Sequence, residues 1–176
     1  DLTVRENLRF SAALRLPPHC ASVIEAARQE HGCARQLAQL LCCKSQAQRR
    51  HDIVNDVLYV LGIDHIADEV VGDVEKRGIS GGQRKRVNIG LEMVADPAVL
   101  FLDEPTSGLD STASTLVLAA LKEVAQLGVT VATVIHQPRY SIFTLFDQTL
   151  LLAKGGRAVY LGWSRDAVAC VLPLGC

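Results

Sequence analysis

Two stretches of the sequence carry residue types whose spacing can do chemistry. Ser80-Gly81-Gly82-Gln83 sets a hydroxyl and two glycines directly ahead of a helical pattern. Bare backbone N–H groups, the hydroxyl and the helix N-terminus then face one way, an arrangement that binds an anion. Glycine lets the backbone approach a phosphate closely, and the helix dipole adds roughly 0.3–1 kcal/mol for a nearby negative charge. Further along, the apolar run Val99-Leu100-Phe101-Leu102 ends in Asp103-Glu104. Adjacent carboxylates delivered by a buried strand are costly unless they meet a cation or a polar reactant. Asp103 is placed to hold Mg²⁺, directly or through water. Glu104 is placed to orient and deprotonate a water that attacks a γ-phosphate. Together they read as two parts of a nucleotide site.

Each stretch also has a plainer reading. A lone Ser-Gly-Gly is most often a turn before a helix, and a lone Asp-Glu a capping or turn pair. The context favours the site. The carboxylates follow a buried run and precede a polar turn, Pro105-Thr106-Ser107-Gly108-Leu109-Asp110. His136 stands one strand later. A single histidine is more often structural, but the C-terminal end of a strand is where open α/β sheets bind ligands. There His136 can touch the γ-phosphate and the attacking water.

The elements that must position these residues are legible in outline. Thr3-Val4-Arg5-Glu6 has the capping-box pattern and opens a helix with Val4, Leu8 and Ser11 on one stripe, flanked by Phe10 and Leu14; Pro17-Pro18 stops it. Asp52 to Leu61 reads as a helix capped by Asp52 and ended by Gly62. A helix from about Gln83 to Val94 buries Val87, Leu91 and Val94, and Asp96-Pro97 closes it. Residues 99–135 then read strand, helix, strand, a βαβ unit with a right-handed crossover. Both strands are apolar enough to be buried on both faces. The helix between them is capped by Asp110 or Ser111, carries Val117, Leu121 and Val124, and ends at Gly128. Ser141 to Phe146 is a short helix candidate. Thr149–Ala153 and Ala158–Leu161 form a hairpin through 154–157, and a last helix starts near Trp163.

Composition bounds the function. The chain has 176 residues, 49% hydrophobic and 21% charged, as expected of one globular domain with a real core. A formal net charge of −1 argues against a general nucleic-acid binder, since no basic excess neutralises phosphates. No apolar run reaches the ~20 residues that cross a bilayer. Six cysteines with no leader read as reduced thiols. His19, Cys20, His31, Cys33, Cys42, Cys43 and His51 match no compact zinc spacing. The stretch 19–50 is expected to be a surface insertion, with a Gln/Arg-rich helix around Leu37, Leu40 and Leu41.

With these residues in view, Ile79-Ser80-Gly81-Gly82-Gln83 resembles the signature motif of ABC ATPases. Val99–Glu104 resembles the Walker B strand, Ser107-Gly108-Leu109-Asp110 the D-loop, and His136 the switch histidine. The longer run from Val74 to Asn88, His136-Gln137-Pro138 and Leu2-Thr3-Val4-Arg5-Glu6-Asn7-Leu8 are similar to the G (White-type) family of ABC transporters. Leu151-Leu152-Ala153-Lys154-Gly155-Gly156 is similar to its plant-type half-transporters. The resemblance covers residues 1–16 and 51–163.

It implies a partial α/β domain of the P-loop NTPase type. A mainly helical subdomain (1–77) would precede the signature, Walker B, D-loop and switch region (78–163), with a mostly parallel sheet flanked by helices and a C-terminal β-hairpin. It implies ATP and Mg²⁺ as cofactors, with Ser80, Gly81, Gly82, Gln83, Ser107 and Asp110 binding ATP, Asp103 holding the metal, and Glu104 and His136 catalytic. The family works as a head-to-tail dimer. Ser80, Gly81 and Gly82 would meet the γ-phosphate of a nucleotide seated on a second nucleotide-binding domain, and Asp110 would cross the interface. A transmembrane domain is expected C-terminal to the domain, which would lie on the cytosolic side of a membrane.

No Gly-x-x-x-x-Gly-Lys-Ser/Thr phosphate cradle occurs in the sequence. The chain is therefore expected to be a fragment, the signature and hydrolysis half of an export ATPase domain, inactive by itself. The alternatives are a soluble ABC-type ATPase, which long heptad arms or a basic surface would support, and a non-catalytic remnant that pairs with a complete partner.

Overall fold

The computed structural model describes residues 2–16, 46–72 and 78–171. Its first element, α1 (Val4–Arg15), starts at the expected capping box. The Thr3 hydroxyl accepts from the Glu6 N–H, and the Glu6 carboxylate accepts from the Thr3 N–H at 2.8 Å. Those bonds hold the Glu6 carboxyl below the usual range. The buried face is Val4, Leu8 and Ala12, while Phe10 and Leu14 are exposed. Ser11 turns instead to Leu91, whose carbonyl accepts from its hydroxyl at 3.0 Å.

Helix α2 spans Gln46–Val60 and buries Val54, Val57 and Leu58. It starts earlier than its apolar pattern suggests, so Asp52 lies inside the helix and is not its cap. Gly62 follows with a positive φ of 59°, as expected of a helix end. The expected insertion at 19–50 lies outside the described residues up to position 45. So do the predicted Leu37–Leu41 helix, the cysteines 20, 33, 42 and 43, His19 and His31. Positions 46–50 belong to α2. Among the described residues no cluster of metal-ligating side chains forms.

A 3₁₀ turn (Asp64–Ile66) leads to a strip that is stitched to the start of α1. Val4 N–H donates to the Glu69 carbonyl at 3.0 Å, and Thr3 and Val70 form a β-bridge. Arg5 reinforces the junction by donating to Asn55 on α2 and to Asp68.

Helix α3 (Gly81–Met93) and helix α4 (Ser111–Gln126) flank strand β1 (Val99–Asp103) in sequence. Strand β2 (Thr130–Val134) pairs with β1 in parallel, Val99 opposite Thr130 and Asp103 opposite Val134. This is the expected βαβ unit. α4 packs on β2, and Leu100 joins one continuous core with α1, α2, α3 and α4.

The sheet differs from expectation in one respect. Only one face of the parallel pair is buried. Val99, Phe101 and Val134 lie on the other face, and Phe101 is 80% exposed. The apolar run is long enough for a two-sided strand, but among the described residues α4 supplies cover on one side alone.

After the short helix α5 (Tyr140–Phe143), strands β3 (Gln148–Ala153) and β4 (Arg157–Trp163) form the antiparallel hairpin, with a bulge at Leu151/Leu152. Helix α6 (Ser164–Val171) follows. The two ladders do not join. Between them runs a groove of about 520 Å³, lined by Leu118 and Leu121 of α4, Val131 and Thr133 of β2, Gln148 of β3 and Trp163. The Thr133 hydroxyl is buried with no hydrogen-bond partner among the described residues.

Candidate functional site

The carboxyl ends of β1 and β2 lie side by side because the strands are parallel and in register. Asp103 is opposite Val134, and the Glu104 N–H continues the ladder by donating to the Val134 carbonyl at 3.0 Å. The chain then leaves the strand sharply. Glu104 has φ 45° and Gln137 has φ 46°, left-handed values that cost a residue with a Cβ. Glu104 is itself the turn residue after β1, and His136 directly precedes the turn at Gln137 after β2. The result is a direct contact between the two candidate catalytic groups, His136 Nε2 to Glu104 Oε1 at 3.1 Å. Both side chains remain open to solvent, 78% for His136 and 44% for Glu104. Asp103 is also exposed, one residue before Glu104.

The turn after Glu104 is held by its own backbone. The Ser107 N–H donates to the Glu104 carbonyl, and the Leu109 N–H to the Thr106 carbonyl. Asp110 is the cap of α4, its Oδ1 accepting from the Ala113 N–H at 2.8 Å. Of the two residues the sequence allowed for this cap, the aspartate takes it. Ser111 bonds elsewhere: its hydroxyl accepts from Arg139 Nη1 at 2.8 Å, across from the His136 loop. Nothing in the sequence pattern marked Arg139. Its position directly after His136-Gln137-Pro138 is the signal that was available.

The signature turn forms as a second capping box. Ser80 accepts from the Gln83 N–H, and the Gln83 side chain accepts from the Ser80 N–H at 2.8 Å. The Ser80 hydroxyl and one donor of the anion site are thus engaged with each other in this structure. The turn rests against the D-loop helix. A Cβ on Gly82 would come within 2.9 Å of the Ala113 Cβ, and one on Gly81 within 3.6 Å of Leu109 Cδ2. Glycine is needed at 82 because no side chain fits between α3 and α4. The basic run behind the turn is spent on structure. Arg84 donates to the Val71 carbonyl, and Arg86 to the Leu61 and Gly62 carbonyls at the end of α2. Burial lowers the Arg86 pKa from its ordinary value.

Two groups therefore form. Glu104, His136 and Asp103 gather at the ends of β1 and β2; the turn Ser80–Gln83 meets Leu109 through Gly81 and Ala113 of α4 through Gly82. No hydrogen bond among the described residues links Ser80 or Gln83 to Glu104 or His136.

Residues 1–107, more than half of the chain, match the family described as ABC transporter. The chain belongs to the ABC transporter family. Residues 136–174 also match the family described as ABC-2 type transporter. Among the described residues no helix is long and apolar enough to cross a membrane, so that second match falls on the hairpin and α6 and not on a span.

Three curated relatives illustrate the match. ABC transporter G family member 25 of Oryza sativa subsp. japonica is 53% identical over 92% of this chain and 14% of its own length. ABC transporter G family member 28 of Arabidopsis thaliana is 47% identical over 92% of the chain and 12% of its own. The broad substrate specificity ATP-binding cassette transporter ABCG2 of Sus scrofa is 42% identical over 99% of the chain and 23% of its own. The chain thus spans a quarter or less of these relatives. Among solved structures, MJ1267, an ATP-binding cassette of an ABC transporter, superposes with a TM-score of 0.65 at 18% identity, over 99% of this chain and 61% of that one. That likeness bears on the fold alone. This stretch of an ABC transporter has the α/β architecture of an ATP-binding cassette.

Proposed function

We propose that this ABC transporter chain is part of the ATP-hydrolysing domain of a G-type exporter, and that it supplies the hydrolytic carboxylate and the signature turn. The contact between Glu104 and His136 at the ends of two parallel strands carries this reading. Glu104 takes a proton from the attacking water, and its left-handed backbone aims the carboxylate away from the core. His136, with Nε2 3.1 Å from Oε1, lies close enough to steer the carboxylate. Asp103, exposed at the strand end, offers the oxygen donor that Mg²⁺ prefers. Asp103 would hold Mg²⁺ there, which would supply positive charge against a transferred phosphoryl group.

The Ser80 turn serves a different nucleotide, one held by a second nucleotide-binding domain. The lack, among the described residues, of a hydrogen bond from Ser80 or Gln83 to Glu104 or His136 supports that division. When the γ-phosphate arrives, the capping-box bonds between Ser80 and Gln83 exchange for bonds to phosphate, and the N-terminus of α3 favours the anion. The domain lies on the cytosolic side of a membrane and acts with a transmembrane partner; the match of residues 136–174 to ABC-2 type transporters supports this. A phosphate-cradling segment is required for turnover. The groove between β2 and β3 is bounded by strand edges of both ladders, which suits one further strand that joins them into a single sheet.

The test is to join this chain to the phosphate-binding segment of a G-type relative and follow ATP turnover. Turnover should appear in the fusion, be absent from the chain alone, and vanish with Glu104→Gln while nucleotide binding survives. A fusion that binds ATP and turns it over equally well with Glu104→Gln overturns the assignment.

A further inference from the structure

We infer that Arg139 is a positioning residue for the Glu104–His136 pair and that it works through Ser111. The inference rests on the hydrolytic reading of that pair, but its geometry stands on four observations. His136 lies on a loop fixed at both ends. Upstream, the Val134 carbonyl accepts from the Glu104 N–H. Downstream, Arg139 is the N-cap residue of α5, with its carbonyl accepting from Ile142 and Phe143 N–H at 2.9 Å. Between these points Gln137 is held at φ 46°, a conformation that persists only when its surroundings over-determine it. The Arg139 side chain adds a third attachment, because its Nη1 donates to the Ser111 hydroxyl on α4 at 2.8 Å.

Ser111 is the first residue of α4, directly after the Asp110 cap. The tether therefore ties the histidine loop to the helix that carries the D-loop, and a shift of the D-loop turn reaches His136 without passing through the sheet. Through the same bond the distance from His136 to Glu104 depends on the position of the Asp110 turn. Arginine suits this role because its planar fork loses less freedom per bond than lysine does.

The experiment uses the 176-residue chain labelled on histidine, with the His136 ring signal read by NMR at one pH above 8. Arg139→Ala and Ser111→Ala should each move the His136 signal in the same direction. The double variant should move it no further than either alone, and Arg139→Lys should restore part of the shift. Signals of His51 and His65, far along the chain on α2 and the 3₁₀ turn, should stay where they are. A purely structural role for Arg139 would shift them together or leave all three in place. In the turnover-competent fusion, Arg139→Ala should lower kcat about tenfold with KM little changed, and should cost nothing more on a His136→Ala background. A His136 signal unmoved by Ser111→Ala and Arg139→Ala, or additive losses with His136→Ala, overturns the inference. Loss of turnover on Glu104→Gln would leave the hydrolytic reading intact in either case.

Discussion

His136 Nε2 reaches Glu104 Oε1 at 3.1 Å from the next strand of the same parallel sheet. Neither the strand nor the histidine alone would orient the carboxylate. The parallel register does so, because it sets Asp103 opposite Val134 and lets both chains turn at one level. A slip of one residue would exchange the faces of the strand and carry His136 away from Glu104.

Removal of the base isolates its contribution. In the turnover-competent fusion, Glu104→Gln should reduce kcat by about 10²–10⁴-fold, the usual worth of a positioned general base. Nucleotide retention through gel filtration should persist. His136→Ala should reduce turnover less than Glu104→Gln does, because the imidazole orients the carboxylate and does not replace it.

Packing between the signature helix and the D-loop helix has a sharp steric test. Gly82→Ala should lower the melting temperature, since its Cβ falls 2.9 Å from the Ala113 Cβ. Overpacking of this kind costs about 1–3 kcal/mol, which outweighs the gain in helix propensity of up to about 1 kcal/mol. Ala113→Gly in the same chain should recover the packing part of the loss, read as a partial return of the melting temperature.

The cap of α4 separates structural from interfacial roles of Asp110. Asp110→Ala should destabilise the chain by about 0.5–2 kcal/mol in urea unfolding. Asp110→Asn should keep most of that stability, because the amide oxygen still accepts from the Ala113 N–H. If Asp110 also meets a second domain through its charge, Asn should then weaken turnover in the fusion while leaving the melt unchanged.

Acid should loosen the contact between α1 and α3. Arg15 donates to both oxygens of Glu92, Nη2 to Oε1 at 3.0 Å, and these bonds hold the Glu92 carboxyl below its ordinary value of 4.5. A carboxyl lowered in the folded state stabilises fully above pH 4.5 and loses that contribution as pH falls through the lowered value. Both side chains are about half exposed, so the effect should be only about 0.2–1 kcal/mol. Urea midpoints measured from pH 6 down to pH 3 should fall more steeply for the natural chain than for Glu92→Gln.

Much of this protein was determined by local sequence. Thr3 with Glu6 and Ser80 with Gln83 fix two helix starts, because a capping box needs only residues three apart. The β-branched and apolar runs at 99–103 and 130–134, separated by a capped helix, dictate the βαβ unit. The candidate site residues lie at the ends of these same strings, at strand ends and a glycine turn.

Tertiary structure decided what local patterns leave open. An apolar strand can be covered on both faces, and among the described residues α4 packs on one side and Phe101 lies on the other. A hydroxyl beside a cap can bond to anything nearby, and the loop after β2 brings Arg139 to Ser111. Asp52 carries a capping residue type inside a helix that starts at Gln46. In the first two cases the deciding partner is distant in sequence, and neighbouring residue types carry no information about it.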